Sequence, residues 1–258
     1  MVYFGHFIYT NGLFDGLVES CPLTYTSNNA PDKRNVLGTV VCGIINGAWR
    51  YAHLSHLHGD ELCAETLDLR GAFVSEDSVR RGLKKGTKTD WDAWDAWLAK
   101  AELESILPLL SVPYILDLDT SVKQIYGHQE GSEVGYNPTR RGRPSQSLHV
   151  GFIGGLRMLF SVDVQGGKAH AASYMAERVW ARVDALPLSC RPSLIRGDIG
   201  FGNEGYLCAC EERNLSHLFK LKMTSRVKNL TRKLARDLSA EDWKVGSGGW
   251  EITESACL

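Results

Sequence analysis

The sequence lacks any long uninterrupted run of apolar residues. Its most apolar later stretch, Val36 to Trp49, is too short to span a bilayer and is interrupted by glycines. The first ten residues carry no basic region ahead of their apolar side chains, so a secretory signal is not indicated. Both absences exclude a membrane protein and favour a chain that remains in the cytoplasm.

An excess of charge of either sign is also missing. The 258 residues include 29 Lys and Arg and 30 Asp and Glu, for a formal net charge of −1. The chain as a whole therefore has no general attraction to nucleic acid, and charge has to be examined segment by segment. Apolar residues at 43% and charged residues at 23% are typical of a globular protein and exclude a disordered or fibrous one.

A disulfide framework and a zinc-ligand pattern are both absent. The seven cysteines are odd in number and scattered, which fits a reducing compartment. His53, His56 and His58 are followed by Cys63, but no second ligand pair follows at finger-like spacing. No G-x-S-x-G motif occurs, which removes the commonest form of nucleophilic serine site. Zinc and serine chemistry are therefore not expected.

The first part of the chain, residues 1–110, has a helical pattern. Apolar residues recur every three or four positions from Asp32 to Gly47. Ser75 is a predicted N-cap for a second helix, and Thr89 or Asp90 is a predicted N-cap for a third that ends before Pro108. Three tryptophans, spaced by three residues in that third helix, predict a packed face.

The second part, residues 111–258, alternates strand-like and helix-like segments, which predicts an α/β layered domain. The first predicted strand ends in acids, and the next two are joined at a Gly154-Gly155 turn. The predicted strands are Tyr114 to Asp119, Leu148 to Leu156, Met158 to Val164, Ser193 to Arg196 and Leu218 to Lys222, with helices at Ala169 to Leu186 and Asn203 to Asn214.

An acid closes each of two predicted inner strands, Asp119 the first and Asp198 the fourth. The carboxyl ends of strands in an α/β sheet are where sites tend to be built. Two neighbouring carboxylates repel each other unless a cation lies between them, and Mg²⁺ prefers oxygen ligands. The alternative is that each Asp caps a turn or a helix. Asp117 points to the same side as Asp119 if the strand alternates.

A glycine motif beside Asp198 offers a competing interpretation. Gly200 to Gly205 matches G-x-G-x-x-G after a strand and before a helix, which is typical of a dinucleotide-binding turn. The ribose-binding acid expected roughly 20 residues later is missing, because that neighbourhood is basic. We interpret the glycines as a turn that lets Asp198 project.

Local basic clusters indicate a polyanionic partner. Eight basic residues and no acidic residue lie between Arg213 and Arg236. Arg140, Arg141 and Arg143 lie on a proline- and glycine-containing loop. Such clusters fit phosphate contacts, although a single basic run is more often a solvated face.

Several sequence blocks together resemble one family of bacterial insertion-sequence transposases of the DDE type. The resemblance extends from about residue 35 to the end of the chain. The blocks are LDLDTSV (residues 116–122), YGHQEG (126–131), GYNP (135–138), GRPS (142–145) and RGDIGF (196–201), with VSEDSVRR (74–81) similar to the family's helix-turn-helix-like element.

The resemblance implies a ribonuclease H-like mixed sheet flanked by helices, preceded by a small helical N-terminal domain that binds DNA. Asp119 and Asp198 take the positions of the first two catalytic and metal-binding acids, with Mg²⁺ or Mn²⁺ as the cofactor. The family's third ligand is a Glu beyond a β-rich insertion. Glu251 and Glu254 do not match its context, so the resemblance implies an incomplete catalytic domain whose insertion begins near Lys220.

The implied activity is metal-dependent DNA strand cleavage and transfer at insertion-sequence ends, with little or none expected from this chain without the third acid. The implied partners are the terminal inverted repeats, target DNA and a possible second copy on DNA, with the protein at the nucleoid when bound. A non-catalytic DNA-binding remnant and, less favoured, a dinucleotide-binding enzyme remain as alternatives. The candidate DNA-binding residues are Arg80, Arg81, Lys123, Arg140, Arg141, Arg143, Lys220, Lys222, Arg226 and Lys228.

Overall fold

A computed structural model describes residues 2–110, 113–137, 139–169, 171–239, 242–246 and 251–253. The chain divides into two compact units, Met1–Ser105 and Ile106–Leu258. In the described part, no helix is both long enough and apolar enough to cross a membrane.

The first unit is helical and has its own apolar core. Large side chains at its centre, including Phe14, Leu57 and Leu67, are almost completely buried. Its helices are α1 (Val2–Thr10), α2 (Leu13–Ser20), α3 (Lys33–Ile45), α4 (Glu61–Thr66), α5 (Glu76–Leu83) and nearly all of α6 (Lys88–Ile106), with a 3-10 segment at Tyr51–Leu57.

Local capping explains where the predicted helices begin. Asp32 accepts a hydrogen bond from the Arg34 amide at 2.8 Å, and Ser75 accepts one from the Ser78 amide at 3.3 Å, which confirms the starts of α3 and α5. The predicted N-cap of α6 was wrong. The Thr87 hydroxyl accepts from the Asp90 amide at 3.2 Å and the Asp90 carboxylate accepts from the Thr87 amide at 2.9 Å, a reciprocal box that starts the helix earlier.

The tryptophan face of α6 is packed, as its spacing predicted. Trp91 and Trp94 are partly buried against the core of the first unit, and their ring centroids lie 5.7 Å apart. The Trp94 indole also donates to the Ser20 hydroxyl at 3.1 Å. Trp97 lies nearer to solvent, with 36% of its surface exposed.

The second unit contains a mixed sheet. Short 3-10 segments lie at Leu107–Leu109 and Leu188–Cys190. The strands are β1 (Ile115–Gln124), β2 (Glu133–Val134), β3 (Pro144–Ile153), β4 (Met158–Gly166), β5 (Leu194–Gly202), β6 (His217–Leu221), β7 (Lys244–Val245) and β8 (Glu251–Ile252), and the helices are α7 (Ala171–Ala185), α8 (Glu204–Glu212) and α9 (Ser225–Asp237).

The strand order of the main sheet is β2-β3-β1-β5-β6, with β4 also paired to β3. Strand β3 pairs antiparallel with β1 and with β4. Strand β5 pairs parallel with β1, and β6 pairs parallel with β5. Helix α7 precedes β5 and helix α8 precedes β6 in the chain. Apart from the two-residue β2, the spatial order is therefore third, second, first, fourth, fifth. This mixed sheet flanked by helices is the expected ribonuclease H-like fold.

Two strands are longer than predicted, which moves both candidate acids. β1 continues past Asp119 to Gln124 because it stays paired with β3 as far as Ser145. β5 continues past Asp198 to Gly202, which pairs with Leu221 of β6 after a register shift. The prediction that each acid ends its strand was wrong, since both lie within strands.

The glycine motif has a packing explanation. A Cβ atom on Gly202 would overlap the carbonyl oxygen of Lys220, so close approach of β5 to β6 requires glycine there. Gly200 and Gly202 lie within β5, and the predicted turn is a bulge in that strand: Gly197 pairs with Phe219 and Gly202 with Leu221, and a Cβ atom on Gly197 would lie 3.0 Å from that of Phe201. The helix that follows is confirmed as α8, with the Asn203 side chain accepting from the Tyr206 amide at 3.3 Å.

One side of the sheet is packed against helices. Leu116, Ile153 and Ile195, from three adjacent strands, are completely buried, as are Val179 and Val183 of α7. The helix predicted at Ala169 to Leu186 is confirmed as α7, and the side chain of Met175 in it lies outside the described residues. The segment after β6, expected to be the start of a β-rich insertion, begins with helix α9, and the strands described after it are the short β7 and β8.

Candidate metal-binding site and basic surface

Three charged side chains share the sheet face opposite the packed one, and a fourth follows in the chain. In the parallel pairing of β1 and β5, Asp117 lies beside Arg196 and Leu118 beside Gly197, where the pairing ends. Because side chains alternate along β1, Asp119 points to the same side as Asp117, which binds Arg196. Asp198 comes next on β5, in an irregular part of the strand where Gly197 pairs with Phe219 and Gly202 with Leu221.

Asp119 and Asp198 are both exposed. The Asp198 carboxylate accepts a hydrogen bond from the Gly200 amide at 2.9 Å, so Asp198 caps a local turn, the alternative that the sequence left open. Asp119 is fixed by the pairing of β1 with β3, where it lies opposite Val150. The sequence-predicted acids thus lie on adjacent strands, each directly after the last β1–β5 pair, and carry carboxylate oxygens, the ligands that Mg²⁺ and Mn²⁺ prefer.

Asp117, the alternative first acid, is engaged differently. Its two oxygens accept from Nε and Nη2 of Arg196 at 2.5 and 2.9 Å, a bidentate ion pair. The hydrogen bond and the charge of Asp117 raise the pKa of Arg196. Sequence reasoning did not single out Arg196 as a site residue, although it is the first residue of the RGDIGF block. Of the two acids of β1, Asp117 is thus the one held in an ion pair with Arg196.

On the packed side of β1, the residue after Asp119 makes a polar contact with β3. The Thr120 hydroxyl and Nδ1 of His149 are 3.0 Å apart, and His149 is completely buried. The two residues are opposite each other in the β1–β3 register. Sequence reasoning did not identify His149, because a histidine in an alternating strand carries no signal about its partner.

Among the described side chains, no three His, Cys, Asp or Glu residues are grouped so that they could hold a metal ion together. The side chain of Glu251 and the whole of Glu254 lie outside the described residues.

Two basic segments of the second unit are exposed. Arg140, Arg141 and Arg143 lie in the loop between β2 and β3, where the Asn137 carboxamide oxygen accepts from the Arg140 amide at 2.9 Å. Lys123 lies on β1, on the same side as Asp119 by strand alternation.

Helix α9 forms the second basic segment. None of its residues is buried, and its basic side chains are all exposed. Lys220 and Lys222 precede it and are exposed as well. The basic residues of the helix are Arg226, Lys228, Arg232, Lys233 and Arg236.

Arg80 and Arg81 belong to α5 in the first unit. Both pair with Asp77, with Arg80 at 2.6 Å and Arg81 at 3.0 Å. The hydrogen bond from Arg80 lowers the pKa of Asp77. The two guanidinium groups remain largely open to solvent, so these pairs leave surface available to a further anion.

Residues 110–246 match the family model described as Transposase DDE domain. The chain belongs to this family. The match covers more than half of the sequence and includes strands β1 to β6, both candidate acids and helix α9. No curated protein matches the sequence.

Solved structures similar to this transposase-family chain resemble it only distantly. The simian T-cell lymphotropic virus intasome in complex with PP2A regulatory subunit B56 gamma gives 16% identity, covering 47% of this chain and 40% of that one, with a TM-score of 0.28. The Mos1 transposase paired-end complex with the left transposon end gives 11% identity, coverages of 85% and 75%, and a TM-score of 0.29. The Drosophila P element transposase strand transfer complex gives 10% identity, covering 83% of this chain and 50% of that one, with a TM-score of 0.27.

This chain thus spans less than half of the first of these proteins and half of the third. TM-scores this low carry no argument about function, so the family assignment depends on the sequence match.

Proposed function

We propose that this chain is a DNA-binding member of the transposase family that holds a divalent cation between Asp119 and Asp198. The observation that supports the proposal is that two exposed carboxylates follow directly after the last residue pair of two adjacent parallel strands. The family match supports DNA as the substrate, with metal-dependent strand cleavage and transfer at insertion-element ends as the activity.

The residues present fit a hard divalent cation. Two like charges on adjacent strands repel each other, and a cation between them removes the repulsion. When bound, Mg²⁺ or Mn²⁺ would polarise a phosphate oxygen and lower the pKa of a bound water. Asp119 would orient it from β1, and Asp198, held by the Gly200 amide, would orient it from β5.

The exposed basic segments would bind the DNA backbone. Arg140, Arg141 and Arg143 offer guanidinium groups from a loop, and α9 with Lys220 and Lys222 offers a longer row. Each phosphate neutralised releases counterions, so affinity should fall steeply with salt. We assign Arg80 and Arg81 in the N-terminal domain, residues 1–110, to a further DNA contact, and residues 111–258 to the catalytic domain, with a homodimer on DNA as the working assembly.

Strand cleavage by this chain should be slow or absent. Among the described side chains no three potential ligands are grouped, and a two-metal centre uses a larger set of oxygen ligands. The same observation favours the second candidate function, a non-catalytic DNA-binding protein. A purified chain that nicks insertion-end DNA with Mg²⁺, and loses this ability with Asp119→Ala, would contradict both statements.

Metal binding is tested by calorimetric titration of the full chain with Mn²⁺. Asp119→Asn and Asp198→Asn should each weaken binding by at least about tenfold, since each removes one charged ligand. Asp184→Asn, which alters an exposed acid on α7, is the matched control and should bind as wild type does. Equal affinity in all four proteins would refute the site.

DNA binding is tested by the salt dependence of affinity for a duplex. Arg226→Gln and Lys228→Gln on α9 should each reduce the slope of log K against log salt by about one. Lys100→Gln, an exposed lysine of α6, provides the control and should leave the slope unchanged. Unchanged slopes in the α9 variants would remove this helix from the DNA-binding surface.

A further inference from the structure

We propose that Arg196 masks Asp117 and so keeps a third carboxylate out of the metal site. This inference rests on the proposed function, since it concerns the same face of the sheet. Asp117 and Arg196 would act as positioning residues that limit the site to Asp119 and Asp198.

The geometry places the masked acid next to the site. Asp117 and Asp119 are two residues apart on β1 and face the same side, so their Cα atoms are roughly 7 Å apart. Arg196 precedes Asp198 by two residues on β5, and the pairing of β5 with β1 ends between them at Gly197. The ion pair therefore lies on the same two strands as the candidate ligands, two residues before each of them.

Both oxygens of Asp117 are occupied by the guanidinium group of Arg196. The pair is neutral as a unit, and the Asp117 side chain is only 29% exposed. Without Arg196, the Asp117 carboxylate would lose this partner and add its charge to the face that carries Asp119. A free Asp117 lies near enough to bind the same metal ion or to attract a second one.

Removal of the Asp117 charge should lower the affinity for the divalent cation, whereas removal of Arg196 should raise it. Without the Asp117 charge, the Arg196 guanidinium loses its bidentate partner beside Asp119 and Asp198. It would then pair with one of these carboxylates and compete with the divalent cation. The masking role thus predicts opposite changes in metal affinity for the two single variants.

A purely structural role predicts something different. If the ion pair only holds β1 against β5, breaking it from either side loosens the same contact. Both variants would then be less stable, and both would bind metal more weakly. The sign of the change in affinity separates the two roles.

The test is Mn²⁺ titration of the full 258-residue chain by calorimetry, with far-UV circular dichroism to check folding. Arg196→Gln should tighten binding by about three- to tenfold or add a second binding event, and Asp117→Asn should weaken it by a similar factor. Arg196→Lys keeps the charge and should remain within about twofold of wild type. The double variant Asp117→Asn with Arg196→Gln should return close to wild type.

The matched control is the ion pair between Arg213 and Asp184. It is also bidentate, at 2.9 and 2.8 Å, and it joins Asp184 of α7 to the residue that follows α8. Arg213→Gln should lower stability but leave Mn²⁺ affinity unchanged. A change in affinity as large as that of Arg196→Gln would show that any lost ion pair affects the site indirectly.

The possible failures are distinguishable. Weaker binding in both single variants, with Asp119→Asn still abolishing the site, overturns the masking role alone. Absence of Mn²⁺ binding in the wild-type chain overturns the proposed function and this inference with it. Loss of folding in Arg196→Gln leaves Arg196→Lys and the double variant, and weakened binding in either of these also overturns the inference.

Discussion

The two faces of the central sheet differ in what their side chains do, and β1 shows the difference within a few residues. Leu116 and Leu118 are almost completely buried on the side packed by α7. Asp117 and Asp119 alternate with them and point to the opposite side. One strand therefore supplies the core with one set of residues and the candidate site with the other.

This separation has a physical consequence. Apolar burial on one face stabilises the strand, which lets the other face carry like charges whose mutual repulsion costs stability. Pairing with β3 and β5 fixes the backbone on both edges, so the carboxylates do not have to hold themselves in place. Substitutions on the two faces should change the free energy of unfolding by different amounts. One substitution on the exposed face should raise it.

The largest effect is expected on the packed face. Leu116→Ala removes a completely buried side chain and should lower the free energy of unfolding by about 2–5 kcal/mol, measured by urea denaturation. Ser121→Ala, on the exposed side of the same strand, should change it by less than about 0.5 kcal/mol. Equal losses in the two variants would contradict the division of β1 into two faces.

A smaller change in the free energy of unfolding is expected at the ion pair that joins Asp184 of α7 to Arg213 at the end of α8. Hydrogen bonding to Arg213 lowers the pKa of Asp184, so this pair adds stability above the unfolded pKa of about 3.9 and loses it as pH falls through the lowered value. Because Asp184 is partly exposed, Asp184→Asn should cost no more than about 1 kcal/mol at pH 7.

Urea denaturation of Asp184→Asn and the wild-type chain between pH 7 and pH 2 measures this directly. The two curves should converge at the acidic end, where the wild-type carboxyl is protonated. A difference that is constant with pH would show that packing, and not the charge of Asp184, is responsible.

The smallest change is expected on the exposed face, where a substitution should raise the free energy of unfolding. With EDTA present, Asp119→Asn should raise the free energy of unfolding slightly, by up to about 0.5 kcal/mol, because one of two like charges is removed. Thermal and urea unfolding in EDTA measure it. A loss of more than about 1 kcal/mol would mean that Asp119 has a stabilising partner on this face.

Local patterns predicted the elements of the fold but not all their limits. The Gly154-Gly155 turn is confirmed by the positive φ of 86° at Gly155, and Ser75 caps the helix it was predicted to cap. The end of β1 was misplaced because the pattern weakens after Asp119, whereas pairing with β3 continues to Gln124. Long-range pairing, which no local window contains, decides where these strands end.

Local sequence patterns were also insufficient at the candidate site. The resemblance to the transposase family named Asp119 and Asp198, and alternation alone could not separate Asp119 from Asp117. The distinction comes from Arg196, which lies 79 residues from Asp117 in sequence and contacts it only through the β1–β5 register. The segment after Lys222 was expected to be β-rich, yet helix α9 begins there with Thr224 accepting from the Val227 amide at 3.3 Å.

Strand β6 has a further consequence for handling this protein. Among the described strands it is the last of the main sheet on its side, and Leu218 and Leu221 are exposed along it. The free edge of a strand with exposed apolar side chains is a template for association with another chain, and lysine is a common protection against it. Lys220 and Lys222 are exposed close to these side chains, and we expect them to oppose such association. Substitutions that neutralise them to weaken DNA binding should be checked by light scattering for self-association.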